Sequence, residues 1–317
     1  MQPSKWEDHD IFEFAHVSVD IFLHTISSTG EAATSGRYSL DPWRDNMTLA
    51  KTCLTYLCFA EFRVCGRSTE DNIRHRKETH SSKLRDYAVA FWPWHARISA
   101  FKKEEWLDVA QILFDPSKPN IFLSWAQEFV LHAVDWTSGK GWFDDISSYS
   151  ASATPLHYAA MLGLPDLCKR LLSSGCSVND SSVFGRPLHC AIFGDRAPWA
   201  ALEHPFKTDT ETSRLSASTI NVIELLLDAG ADINDPYHHL SDKNRIESPL
   251  YLTLISNVEV AKFLLTRGAL CDTQCLDFID DNLGIDPGMA ELAKTLLPEH
   301  VRPEALKRFQ EIAKGRV

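Results

Sequence analysis

The chain has 317 residues, is 44% hydrophobic and carries a formal net charge of −11. That length and apolar content support a substantial core in about two domains and exclude a disordered chain. The negative charge is spread evenly, with 16 basic and 21 acidic side chains in residues 1–150 and 16 and 22 in the rest, so a nucleic-acid backbone would be repelled.

No apolar run approaches the span of a bilayer, and the start MQPSKWEDHD lacks the basic and greasy regions of a secretory leader. The expected location is therefore the cytoplasm, or the nucleus. Eight cysteines scattered among helical patterns predict free thiols in a reducing compartment.

In chain order, residues 11–27 begin with alternating apolar residues that suit a short strand, after which Ser18 is placed to cap a helix carrying Val19, Phe22 and Leu23. A glycine- and serine-bearing loop leads to a helix on which Leu49, Cys53, Tyr56, Leu57 and Ala60 form one face. The basic cluster Arg74-His75-Arg76-Lys77 lies in a polar stretch and reads as a solvated loop. Residues 84–97 are aromatic-rich and interrupted by Pro93. Helices are predicted over 104–114 and 119–135, with Trp106, Ile112, Phe122, Trp125 and Phe129 pointing inward.

The most informative stretch is residues 154–179, TPLHYAAMLGLPDLCKRLLSSGCSVN. Thr154 is a helix cap and Pro155 a first helical residue whose missing N–H costs nothing there. Leu156, Ala159 and Ala160 give the first helix an apolar stripe, and Gly163 ends it. Pro165 opens a second helix, with Leu167, Cys168, Leu171 and Leu172 at helical spacing and Gly175 as its stop. Such a hairpin cannot bury its own apolar side, so further copies are expected to stack on it.

Two follow. RPLHCAIFG at 186–194 places Leu188 32 residues after Leu156, and VIELLLDAGADIN at 222–234 restates LCKRLLSSGCSVN after an insertion. SPLYLTLISNVEVAKFLLTRGA at 248–269 is a third copy, with Leu250 in the place of Leu156. The insertion, residues 195–218, holds Trp199 and Phe206 in a polar, turn-prone setting that suits either function or disorder. Past the copies, Pro287 and Pro303 each open a helix apolar on one side, suited to closing the end of a stack.

TPLHYAA followed by LLSSGCSVN resembles the ankyrin repeat family, and with the two further copies the resemblance covers roughly a third of the chain. It implies an all-α solenoid that binds partner proteins. His157 and His189 occupy the motif position at which an imidazole ties the turn between neighbouring units. Arg186 replaces the motif threonine in the second copy and Tyr251 the motif histidine in the third, so the turn bonding around His157 is not expected to carry over unchanged there.

The N-terminal blocks AHVSVDIFL, LAKTCLTYLCFAEF and LRDYAVAFWPWHAR, followed by a linker into the repeats, resemble in their order the region after the winged-helix segment of fungal NACHT and ankyrin proteins, the NLR-like receptors. That family places a nucleotide-binding domain before these blocks. This chain has no GxxxxGK[ST], and Gly139-Lys140 has Val134 where the first glycine belongs, so ATP binding does not carry over.

Catalytic patterns are not met. Cys53, Cys58 and Cys65 help fill a helix face, and Cys271 and Cys275 have no second ligand pair at zinc-site spacing. Asp277, Asp280, Asp281 and Asp286 near Gly284 miss the calcium-loop template, and no GxSxG or HExxH occurs. No catalytic residue, cofactor or metal is expected.

The sequence therefore predicts an all-α, non-enzymatic interaction protein, an ankyrin repeat solenoid of three repeats packed on an N-terminal helical domain. Its divisions are a helical domain over 1–150, ankyrin repeats over 151–270 and C-terminal capping helices over 271–317. Partner contact is assigned to the concave platform made by the fingers between repeats and the exposed faces of the first helices, with Asp180, Phe184, Asp235, Tyr237 and His238 on the fingers as its named residues. Phe184 and Tyr237 either anchor the partner or pack on the next finger. The alternative is the regulatory arm of an NLR-like signalling NTPase whose nucleotide-binding domain lies elsewhere.

Overall fold

The computed structural model describes residues 41–59, 82–99, 104–115, 117–133, 152–194, 216–238 and 245–315. The readings made of residues 11–27, Cys65, the cluster at 74–77, Trp199 and Phe206 lie outside them.

Helix α1 (Pro42–Leu57) starts where Asp41 accepts the N–H groups of Trp43 and Arg44 and Pro42 takes the first helical position. Its buried side is Met47, Ala50, Cys53, Leu54 and Leu57. Leu49, predicted on that side, is 41% exposed, because it stands one residue, about 100° of helical turn, from Ala50.

Helix α2 (Ser82–Ile98) is not interrupted at Pro93 but runs through it. Proline removes the N–H that would bond the carbonyl four residues back, at Val89. The indole Nε1–H of Trp125 donates to that carbonyl at 3.4 Å, so the helix continues with its orphan acceptor satisfied by a neighbour. Trp125 belongs to α4 (Pro119–Ala133), which also supplies Glu128 to a buried ion pair. The Nε of Arg85 on α2 donates to Glu128 Oε2 at 2.7 Å and its Nη2 donates to Oε1. Between α1 and α2, the buried ring of His95 lies 2.6 Å from both Tyr87 Oη and Asn46 Oδ1.

Helix α3 (Glu104–Leu113) buries Trp106, Leu107, Ala110 and Leu113. Ile112 is 46% exposed, a correction to its predicted inward side, since Leu113 and Phe114 take the core positions next to it. Phe122, Trp125 and Phe129 on α4 are buried as their spacing predicts. Trp92, Trp106, Phe114, Phe122 and Trp125 form a chain of ring contacts between 5.2 and 6.5 Å.

Four helix pairs follow. They are α5 (Pro155–Met161) with α6 (Pro165–Ser173), α7 (Pro187–Phe193) with α8 (Ser216–Asp228), α9 (Pro249–Ser256) with α10 (Val258–Thr266), and α11 (Thr273–Asn282) with α12 (Pro287–Thr295). First helices pack on first helices along the row α5, α7, α9, α11, and second helices along α6, α8, α10, α12. Leu156, Leu188 and Leu250, each second in its helix after a proline, are buried in successive members of the first row.

The second row repeats one buried triplet at i, i+1 and i+4. It reads Leu167-Cys168-Leu171, Val222-Ile223-Leu226, Val260-Ala261-Leu264 and Leu292-Ala293-Leu296. The first three helices end on Gly175, Gly230 and Gly268 at φ of 91°, 92° and 94°, a left-handed step that suits a residue without Cβ. A two-residue antiparallel ribbon, β1 (Tyr237–His238) with β2 (Ile246–Glu247), joins the second pair to the third.

At the near end, α3 packs on α6, Arg170 Nη1 donates to Asp108 at 2.8 Å, and Tyr158 of α5 meets the rings of Phe122, Trp125 and Phe129. At the far end, Cys271 N–H donates to His300 O and Arg302 N–H to Cys271 O, at 2.7 and 2.9 Å. Short 3-10 turns (Pro298–His300 and Pro303–Ala305) then lead into α13 (Leu306–Gly315), whose Arg308 binds Asp277 at 2.6 Å and Asp280 at 3.2 Å on α11.

Candidate interaction surface

His157 stands at the third position of α5, and its buried ring makes two kinds of bond. Nδ1 accepts the Thr154 N–H at 3.1 Å, which leaves Nε2 as the protonated nitrogen, donating to Asp180 O at 3.0 Å and Gly185 O at 3.2 Å. One imidazole thus closes its own helix start and holds the next finger. Burial pulls its pKa down to about 4, against the partial opposition of those carbonyls, so the ring is neutral at pH 7.

His189 repeats the arrangement one layer on. Its Nδ1 accepts the Arg186 N–H at 3.0 Å and its Nε2 donates to Asp235 O at 2.9 Å, with burial lowering its pKa. The change of threonine to arginine leaves the bond intact, because the donor is a backbone N–H that every residue but proline carries. In the third layer Ser248 Oγ accepts the Tyr251 N–H at 3.3 Å, so the helix start is capped without an imidazole.

The five predicted contact residues separate into two groups. Asp180 and His238 are exposed, and Asp235 is half-exposed with its carboxylate 2.7 Å from the Arg186 Nε. Phe184 and Tyr237 are each only 1% exposed, so, of the two readings given for them, packing holds and these rings are not presented as surface anchors. Phe184 lies edge-on to Tyr158 at 6.0 Å, and Tyr237 packs between His189 at 5.5 Å and Phe193 at 5.0 Å. Each finger turns its ring under the neighbouring layer, where it removes apolar area from water.

The first row is unequal in what it leaves open. Leu156 to Met161 on α5 and Pro187 to Ile192 on α7 are all buried. Farther along, Tyr251 on α9 and Phe278 on α11 are half-buried with rings 5.8 Å apart, Ile255 is 39% exposed, and Gln274 and Asp281 are exposed. The first-helix faces were expected to form part of the platform, but none of these residues was among those named for partner contact. The signal was Tyr251 itself, an aromatic side chain in the place where the other layers use histidine as a buried tie.

Burial weakens the nucleophilic character of several of the described thiols. Burial pushes Cys53 up to about 11 and raises Cys168, Cys190 and Cys275 as well, and Ser248 Oγ lies 3.5 Å from Cys275 Sγ. Among the described residues no group of three or more histidine, cysteine or acidic side chains is placed to hold a metal ion. Among them, too, no helix is long and apolar enough to cross a membrane.

Residues 153–182, the α5–α6 pair with the finger that follows, match the family model described as Ankyrin repeat. That match fits the geometry of the tie at His157, and ankyrin repeats are in general protein–protein interaction modules. No curated protein and no solved structure matches the chain.

Proposed function

We propose that this chain is a non-enzymatic adaptor that binds another protein along the exposed edge of a stack of ankyrin-type repeats. The stack comprises four layers, α5–α6, α7–α8, α9–α10 and α11–α12, with α3 and α4 covering the first and α13 the last. The observation that supports this most is the shared role of His157 and His189. Both rings are buried, neutral and fully bonded to backbone, so the residues that most invite acid–base chemistry serve as ties between layers. What remains for recognition is exposed side chain on the fingers and the first-row helices, including Asp180 and His238.

Affinity capture with the full chain, followed by a binding isotherm with the purified partner, tests this. A one-to-one isotherm weakened by Asp180→Lys or by changes on α9 and α11 supports the adaptor. Turnover of the captured molecule, or an isotherm indifferent to every such substitution, counts against it.

A second reading, the regulatory arm of an NLR-like NTPase, draws on the order of the N-terminal blocks. An in-frame phosphate-loop coding sequence upstream of Met1 in the transcript would favour it, and a non-coding upstream region would not.

A further inference from the structure

We propose that the partner is engaged through a basic and apolar segment laid across α9 and α11, not through the aromatic residues of the fingers. The proposal rests on the adaptor reading and narrows it to one surface and one ligand chemistry. The opening is set by packing: α5 and α7 bury their middle residues completely, whereas α9 and α11 leave Tyr251, Ile255 and Phe278 partly in water as one contiguous apolar strip. Tyr251 and Ile255 are one helical turn apart on α9, and Phe278 meets Tyr251 across the helix pair.

The charge around this strip is one-sided. Asp281 is exposed one turn after Phe278, and Asp277 and Asp280 flank the same helix. Among the described residues, Arg308 is engaged with Asp277 and Asp280 and Arg245 with Glu247 at 2.9 Å, which leaves Asp281 as the exposed charge beside the strip. A chain with a net charge of −11 repels an acidic ligand at long range, and this strip adds the exposed Asp281 carboxylate at short range. A segment alternating lysine or arginine with leucine-like residues matches both features, its apolar side chains on the strip and its cations toward Asp281.

The test uses the full chain and two fluorescein-labelled 12-residue peptides, one alternating leucine with lysine and one alternating leucine with glutamate. The leucine–lysine peptide should bind at one site, weaken as salt rises, and lose tenfold or more in Ile255→Glu and in Asp281→Lys. Glu291→Lys makes the same charge change on the exposed second row and should leave binding unaltered, while circular dichroism confirms that all three variants stay folded. Equal binding of the leucine–glutamate peptide, no binding of the leucine–lysine peptide, or an equal loss in Glu291→Lys overturns the proposal. Binding lost in His238→Ala but kept in Ile255→Glu overturns this surface alone and leaves the adaptor reading standing.

Discussion

Gly185 shows how tightly one position is held. Its φ is +82°, and an added Cβ would lie 2.8 Å from His189 Nδ1 and 2.9 Å from Tyr237 Cδ2. Gly185→Ala therefore meets both backbone strain and a clash with two buried rings, and should lower unfolding free energy by about 2–4 kcal/mol, read from the urea midpoint. The neighbouring ties predict a pH dependence. An unfolded histidine titrates near 6.5 while folded His157 titrates near 4, so the unfolded chain binds protons first as pH falls. The stability these ties contribute is present above pH 6.5 and is lost as pH drops through 4, with about 2 kcal/mol gone for His157 alone by pH 5. Urea titrations from pH 7 to 5 should show that decline, and His157→Gln should flatten it. The role of these histidines was legible in TPLH and RPLH, but the burial of Phe184 and Tyr237 was not. A ring in a short polar turn looks exposed until the adjoining layer is in place, and nothing local in the sequence encodes that neighbour.

Among the elements, α2 holds its shape through a bond from outside itself. If Trp125 Nε1 compensates for the N–H that Pro93 lacks, the two residues are coupled. Trp125→Phe should cost about 1 kcal/mol more in the natural chain than in Pro93→Ala, where the helix can supply its own donor to Val89 O. A double-mutant cycle by chemical denaturation measures this difference, and additivity would remove the explanation. A proline in a helical pattern ordinarily marks a boundary, and only the long-range contact between residues 89 and 125 reverses that reading. The helix opened by Pro287 was expected as a closing helix, but that α11 and α12 form a fourth pair was not, for the opposite reason. AELAKTLL at 290–297 restates VEVAKFLL at 258–265 at a spacing of 32, but Pro298 stands where the other copies continue toward glycine, and no proline–leucine pair opens α11.

At the scale of the whole molecule, the N-terminal helices do more than precede the stack. Tyr158 is buried against Phe122, Trp125 and Phe129, and Arg170 reaches Asp108 and Gln111, so the first layer has its covering in α3 and α4. A fragment of residues 151–317 would expose that ring and the face around it. It should bind the dye ANS and melt about 10 °C below the full chain by calorimetry, on the order of a 3–5 kcal/mol loss for a unit of this size. A fragment melting like the full chain would make the two parts independent. The helical class was legible from the repeats because the same pattern recurs, and packing on an N-terminal helical domain was expected; which side chains of α3 and α4 make the contact was not legible, because they belong to no repeat.

The claim on which the rest depends is that His157 and His189 are fixed, neutral ties between layers. Nitrogen-15 spectra of the histidine rings in the full chain address it directly. The account predicts two rings with protonated Nε2 and bare Nδ1, slow to exchange with water, His157 unprotonated down to about pH 5 and His189 protonated only below the ordinary imidazole range. Two rings with averaged tautomers that titrate near 6.5 would contradict it.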